Sequence, residues 1–192
     1  MSLPRHALRA PPLTVTLADF PRIIKVAHVS TPLGLSNGTS RFSSTAGTFQ
    51  ILYAAERFET ALAEAVVRDR FESRHRRFIG RTTLMSRAVT TLSTTAPMSL
   101  FDLRAANAYA LGIDTDAARG RAHSPGQEFS EALYAQTAID GILYDSRLTG
   151  GLCVAIYDRA VRNLVASPSV DLIRHVGLIP ELQRLDIIVR GP

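Results

Sequence analysis

The amino-acid sequence predicts an α+β fold, a single compact domain with a central mixed or antiparallel β-sheet flanked by helices. The first observation behind this prediction is a switch of hydrophobic period, from two residues to about 3.6, between residues 49 and 66. The second is a series of short segments rich in Val, Ile, Leu and Thr, which alternate with helical and turn-forming stretches. The third is size, since 192 residues with 46% hydrophobic residues suffice for one sizeable core.

The N-terminal part of the chain predicts an arm, a strand and a loop. Residues 1–22 contain four prolines and are expected to form an extended N-terminal arm, which leaves 23–192 as the domain. The first strand is predicted at 23–30, with Lys25 and His28 on opposite faces. A Ser-, Thr- and Gly-rich loop at 31–48 follows and contains Arg41.

The segment around which the domain is organised follows this loop. Alternating apolar residues predict a strand at 49–54 with Tyr53 near its end. A helix is predicted from residue 58, because its apolar residues recur at helical spacing: Phe58, Ala61, Leu62, Ala65 and Val66. Glu64 lies at the margin of this apolar face. A short connection between strand and helix would let Arg41, Tyr53 and Glu64 meet around one cleft.

These three side chains suit a nucleotide with a positively charged leaving group. The guanidinium fork of arginine matches phosphate or amide oxygens, and a tyrosine ring stacks on a planar heterocycle. A carboxylate stabilises a sugar cation as it forms. Each residue also has a structural interpretation: Arg41 as a loop ion pair, Tyr53 as a core residue, and Glu64 as the solvated edge of a helix.

The remaining elements complete the predicted sheet. Strands are expected at 83–92 and 98–103, and an alanine-rich, short-helical stretch at 105–121. A helix is expected at 127–139, with Phe129, Ala132, Leu133 and Gln136 facing inward. The turn at 140–141 leads into a strand at 142–144, after which Ser146 lies at the strand end. Strands at 152–157 and 185–189 follow, and the last is expected to close the sheet.

Several short motifs, in this order and spacing, resemble the RES-domain family, which is named for its arginine, glutamate and serine. They are Arg41-Phe42, Leu52-Tyr53-Ala54, the run from Glu59 to Glu64, and the run from Asp140 to Arg147, within a similarity that spans most of residues 23–158. The resemblance implies an ADP-ribosyltransferase-like fold and a toxin of a bacterial toxin–antitoxin pair that consumes NAD+.

The resemblance also implies an active-site set of Arg41, Tyr53, Glu64 and Ser146. Ser146 is expected to hydrogen-bond the nicotinamide amide or its ribose. Many members carry an arginine on the first strand, where this chain offers Lys25 and His28 as NAD+ contacts. An asparagine is frequent just before the strand at 152–157, and this chain has Gly151 and Leu152 there, so that amide contact is expected to be missing.

The expected reaction breaks the nicotinamide–ribose bond of NAD+, which is a substrate, and requires no metal. The acceptor of ADP-ribose is left open among water, phosphate and a protein. The expected partner is a cognate antitoxin, encoded adjacently and covering the cleft; a homodimer is left open. Two other functions are weighed: an RNA-acting toxin, and a non-catalytic module that binds nucleotide or antitoxin.

Charge and cysteine content bound the remaining choices. The net charge is +5, and a basic run extends from Arg68 to Arg87. Acidic residues interrupt this run and no aromatic platform accompanies it, so a solvated helix end is favoured over a nucleic-acid site. A contact for an acidic partner such as an antitoxin is a third possibility. A single cysteine, Cys153, in an apolar stretch predicts a core residue and a reducing compartment. No secretion signal or membrane span is evident, so a cytoplasmic protein is expected.

Overall fold

The computed structural model describes residues 10–191 apart from 37, 69, 115, 118 and 119. Within these residues, eleven strands and five α-helices have defined bounds. The strands are β1 (Leu13–Val15), β2 (Phe20–Lys25), β3 (Ile51–Ala55), β4 (Arg77–Gly80), β5 (Arg87–Thr94), β6 (Met98–Asp102), β7 (Gly141–Asp145), β8 (Leu152–Tyr157), β9 (Leu164–Ala166), β10 (Val170–Asp171) and β11 (Ile187–Arg190). The helices are α1 (Phe58–Leu62), α2 (Arg81–Met85), α3 (Ala105–Ala110), α4 (Ser124–Gln136) and α5 (Leu178–Arg184). The predicted α+β class is confirmed.

Two sheets form the body of the protein. The five-stranded sheet has the order β1-β6-β7-β8-β3, in which only the β6–β7 pair is parallel. The second sheet has the order β10-β5-β2, with β9 also paired to β5. A separate parallel pair joins β4 and β11. The edge strands β3 and β2 therefore belong to different sheets, and their residues make close contacts with one another.

The core lies on both faces of the five-stranded sheet because successive side chains of a strand point to opposite sides. On one face, Ile142 and Ala155 pack with Phe129 and Leu133 of α4. The opposite face packs on β2 and β5 through Leu143, Val154, Ile156, Phe20 and Leu92. Cys153 is buried on the α4 face, as its apolar context predicts.

The helix after β3 changes type in its second turn. Residues Phe58–Leu62 are α-helical, whereas Ala63–Val67 form a π-helical turn closed by the Arg68 N–H donating to the Ala63 carbonyl at 2.7 Å. Arg68 then has a φ of 47°, an uncommon backbone conformation for a residue other than glycine. π-helical turns are rare and are often found at functional sites. Glu64 lies in this turn.

The predicted N-terminal arm is wrong in its extent. Residues 13–15 pair with β6, and Arg22 lies within β2, so both sheets include residues assigned to the arm. Leu17 and Phe20 are buried in the core. The prolines led to the error, although Pro21 is tolerated because it lies on an edge strand. The part of the predicted arm at 1–9 lies outside the described residues.

Other boundaries differ as well. The first strand ends at Lys25, and Val26–His28 form a 3-10 turn, so His28 is not on a strand. The predicted strand at 83–92 begins later, because Arg81–Met85 is helical. The last strand does not close the main sheet but pairs with β4, a strand that was not predicted. Gln136, expected to face inward, is exposed at the end of α4.

Candidate functional site

A cavity of about 520 Å³ opens where the edge strands β2 and β3 of the two sheets face each other. Arg41, Tyr53 and Glu64 all line it, from the loop, the strand and the π-helical turn respectively. The short connection between β3 and α1 brings Tyr53 and Glu64 together, as the sequence predicts. The volume of the cavity lies within the range of small-molecule sites.

The loop that carries Arg41 is fixed by its neighbours in the chain. Phe42 and Ser43 are buried, and the Tyr53 hydroxyl accepts hydrogen bonds from the Phe42 N–H and from Ser40 Oγ, both at 3.0 Å. The Tyr53 hydroxyl is thus occupied by the loop, and its ring is held at the cavity wall. Burial raises the pKa of this hydroxyl, so it is protonated at neutral pH.

Arg41 Nη1 donates to the Gly120 carbonyl at 2.5 Å, which uses one of the five donors of the guanidinium. Burial lowers the pKa of Arg41, an effect that the nearby Tyr144 hydroxyl and Glu64 carboxylate oppose. Gly126 at the start of α4 packs directly on this residue, since a Cβ there would lie 2.6 Å from Arg41 Cγ. The side chain of Arg41 is therefore held against a glycine of α4.

Ser146 holds Glu64 from the buried side. Its Oγ donates to Glu64 Oε1 at 2.6 Å, a short distance typical of a charge-assisted hydrogen bond. The same oxygen accepts the N–H groups of Leu148 and Thr149 at 3.1 and 3.2 Å. Ser146 is only 1% exposed. Its hydroxyl proton is therefore directed at the carboxylate, and Ser146 is not among the described residues that line the cavity.

Arg22 is a site residue that the sequence interpretation missed. It lines the cavity from β2 and bridges the two sheets, because Nη1 donates to the Tyr53 carbonyl at 3.1 Å and Nη2 to the Gly34 carbonyl at 2.6 Å. Burial lowers its pKa to about 10, which leaves it cationic at neutral pH. The strand that the sequence predicted as the first, observed as β2, thus carries an arginine, which the predicted bounds of 23–30 had left out.

Lys25 and His28, the contacts predicted in its place, lie apart from this cavity. Lys25 is the last residue of β2, His28 ends the 3-10 turn, and both are exposed. The alternation of β2 explains the difference: with the strand beginning at Phe20, Arg22 is the basic residue that reaches the seam between the sheets. A predicted strand that began at Phe20, three residues earlier, would have included Arg22 among the candidate residues.

Gly151, the residue just before β8, packs against Thr60 and leaves no place for the side-chain amide that is frequent in the family. A Cβ at Gly151 would overlap Thr60 Oγ1, and Thr60 is hydrogen-bonded to Thr149 Oγ1 at 3.1 Å. An asparagine side chain has no room there. Tyr144 and Cys153 also line the cavity, and burial raises the pKa of the cysteine thiol to about 12. Cys153 is therefore a neutral part of the wall.

Two properties of the described residues bear on the class of site. Among them, no group of three or more His, Cys, Asp or Glu side chains is arranged to hold a metal ion. Within the same residues, every helix is too short or too polar to cross a bilayer.

Comparisons with known proteins place this geometry in context. A family model described as "RES domain" matches residues 20–177. "Probable toxin y4kH" of Sinorhizobium fredii (strain NBRC 101917 / NGR234) is 38% identical over 96 residues, which are 48% of this chain and 76% of that protein. A chain in the crystal structure of the M. tuberculosis MbcT–MbcA toxin–antitoxin complex superposes with a TM-score of 0.64 at 17% identity, over 86% of this chain and 90% of that one. This last likeness concerns the fold alone.

Proposed function

The chain belongs to the RES domain family, and from this premise we propose that it is the toxin of a toxin–antitoxin pair that cleaves the nicotinamide–ribose bond of NAD+ and transfers ADP-ribose to an acceptor. Its 38% identity to a protein named as a toxin supports the toxin assignment. The fold shared with a chain of a toxin–antitoxin complex supports an antitoxin partner.

The observation that carries the enzymatic part of the proposal is the Ser146–Glu64 hydrogen bond at 2.6 Å, placed at the wall of a cavity that is also lined by the Tyr53 ring and by four arginines, among them Arg22 and Arg41. A carboxylate that is already fixed in one orientation needs little reorganisation when positive charge develops beside it. The arginines Arg22 and Arg41 supply charge for a diphosphate, and their burial strengthens that attraction.

The bond broken is the one between C1′ of the ribose and the ring nitrogen of nicotinamide. Its electron pair moves to the ring, so nicotinamide leaves as a neutral molecule and the sugar becomes an oxocarbenium ion. No general acid is required. Glu64 holds a ribose hydroxyl and stabilises the developing cation, while the Tyr53 ring stacks on nicotinamide. Arg41 contacts the diphosphate or the carboxamide.

For Ser146 we propose a positioning role, in place of the contact with nicotinamide or its ribose that the resemblance implies. Its hydroxyl donates to Glu64 and accepts two backbone N–H groups, so it serves as a positioning residue for the carboxylate. The oxocarbenium ion is then captured by water, phosphate or a protein side chain. Depletion of NAD+ or modification of an essential protein would arrest growth, which is why an antitoxin that covers the cleft is part of the proposal.

The test is incubation of the wild type and Glu64→Gln with NAD+ labelled on the adenylate phosphate, with and without phosphate and with a cell extract. Glu56→Gln is the matched control, because Glu56 is exposed on the same connection and lies outside the cavity. We expect free or phosphorylated ADP-ribose, or a labelled extract protein, with wild type and Glu56→Gln alone. Intact NAD+ in every sample would refute the enzymatic proposal, and degraded RNA in those samples would favour an RNA-acting toxin.

A further inference from the structure

A second cavity, of about 690 Å³, adjoins the first and is called here the arginine groove. The π-helical turn separates the two, since Ala63 and Val67 line the groove whereas Glu64 and Ala65 line the first cavity. Arg68, Arg147 and Leu148 line both, so the groove is continuous with the first cavity. Any molecule seated in the groove contacts the element that carries Glu64.

The groove has an excess of positive charge. Five exposed arginines line it against two glutamates: Arg57, Arg68, Arg77, Arg147 and Arg184, with Glu59 and Glu72. The excess is therefore three charges. The glutamates are themselves paired, Glu59 with Arg57 at 2.6 Å and Glu72 with Arg121 of the loop before α4. A ligand for this surface is acidic, because complementary charge speeds docking and excludes basic partners.

The floor of the groove is apolar. Ala63 is buried and Val67, Phe71 and Leu185 are half-buried, so these four form the floor, whereas Leu148 is exposed like the charged side chains. Phe71 is the one aromatic side chain among the described residues that line the groove, whereas single-stranded nucleic acid is bound on several stacked rings. An apolar floor with a charged rim is instead the usual anatomy of a protein interface. These features favour an acidic polypeptide over RNA.

We propose that the arginine groove docks an acidic segment with apolar side chains that belongs to the inhibitory partner protein. The identity of the partner rests on the proposed function; the chemistry of the segment rests on the groove. A small-molecule cavity alone offers too little area for a stable interface, which buries roughly 1,200–2,000 Å² in total. A segment in the groove enlarges that footprint and continues directly to the mouth of the cavity over Arg68 and Leu148.

The test measures peptide binding by fluorescence anisotropy in the absence of NAD+. The probe is a fluorescein-labelled peptide of four Glu-Leu repeats, compared with four Glu-Ser repeats of equal charge and with a twelve-residue oligothymidylate. The groove variant is Arg57→Glu with Arg77→Glu, and the matched control is Arg162→Glu with Arg174→Glu, two exposed arginines outside the groove. Thermal melting checks that each variant is folded.

We expect the wild type to bind the Glu-Leu peptide at least tenfold more tightly than the Glu-Ser peptide. The groove variant should bind it at least tenfold more weakly, and the control variant within twofold of wild type. If the double variant does not fold, Arg57→Glu alone should weaken binding about threefold, since its ion pair is exposed. Equal binding by wild type and groove variant, equal binding of both peptides, or preference for the oligothymidylate would overturn the proposal. The peptide assay contains no NAD+ and is therefore independent of the NAD+ incubation described above. A protein that binds the peptide but leaves NAD+ intact in that incubation would refute only the enzymatic function.

Discussion

Substitution of Ser146 by alanine tests whether this residue positions Glu64 or contacts the substrate. The variant loses one hydrogen bond to a carboxylate, which contributes about 1.5–3 kcal/mol, whereas the N–H groups of Leu148 and Thr149 belong to exposed residues that water can reach. We expect the free energy of unfolding to fall by about 2–3 kcal/mol. For a chain of 192 residues this corresponds to a decrease in Tm of roughly 4–12 °C.

The activity of the same variant separates the two roles. A carboxylate that has lost its positioning hydrogen bond stabilises the transition state less, while the contacts to bound NAD+ remain. We therefore expect nicotinamide release by Ser146→Ala to show a kcat about 10- to 100-fold lower, with KM for NAD+ within about twofold. Ser146→Thr retains the hydroxyl and should recover most of the kcat.

Ser169→Ala is the matched control, because Ser169 Oγ is buried and hydrogen-bonds none of the described protein groups. It should leave both kinetic constants unchanged. An unchanged kcat with a raised KM in Ser146→Ala would refute the positioning role. It would instead support a direct contact between Ser146 and nicotinamide or its ribose, as the family resemblance implies.

Three further substitutions follow from the site. Arg22→Ala should raise KM for NAD+ at least tenfold and lower Tm, because a buried cation and two backbone contacts are lost, whereas Lys25→Ala should change neither. Glu131→Gln should remove an acid-sensitive part of the free energy of unfolding. Backbone and hydroxyl donors of residues 44–46 lower the pKa of Glu131 in the folded protein. The carboxylate therefore contributes to stability above its ordinary pKa of 4.5, and this contribution is lost as pH falls through the lowered pKa of the folded state. Gly126→Ala should cost roughly 1–3 kcal/mol of stability and slow NAD+ turnover, because the added methyl lies 2.6 Å from Arg41 Cγ and 2.7 Å from its carbonyl oxygen.

Each of these has an outcome that would contradict it. A wild-type KM in Arg22→Ala would remove that residue from substrate binding. A Tm difference between Glu131→Gln and wild type that stays constant from pH 6 to pH 3 would show that the carboxylate does not stabilise the loop through its charge. Unchanged melting and turnover in Gly126→Ala, measured beside Gly191→Ala in open space, would show that Arg41 adapts freely.

The hydrophobic pattern of the sequence predicted those elements whose formation depends on residues close together in the chain. The strand around Tyr53 and the first turn of α1 follow from a change of hydrophobic period within twenty residues, and β8 follows from an unbroken apolar run. The π-helical turn was not predictable in this way. Its one extra residue per turn leaves Ala63 and Val66 buried much as an α-helix would, so the apolar pattern carries no sign of it.

Long-range pairing explains why the sequence revealed neither β4 nor the partner of β11, although a strand at 185–189 was predicted. β4 and β11 pair in parallel although more than 100 residues separate Arg77 from Ile187, and neither strand has a pattern that specifies this partner. Arg22 was missed for a related reason. Its role depends on the packing of β2 against β3, two edge strands from different sheets, and the preceding proline indicated an arm when the strand was considered alone.

The position of Arg22 between the two sheets also determines which of its donors can contact a bound diphosphate. Both terminal nitrogens of its guanidinium already donate to carbonyls of the five-stranded side, at Tyr53 and Gly34. Arg22 commits two of its five donors to these carbonyls and Arg41 commits one to Gly120, so both guanidinium groups retain N–H groups for a bound diphosphate. Arg22 donates to the Tyr53 carbonyl, while Ser40 Oγ and the Phe42 N–H donate to the Tyr53 hydroxyl, so the residue is held at both its backbone and its hydroxyl. Loss of Arg22 should then disturb the proposed stacking of nicotinamide as well as the binding of the diphosphate.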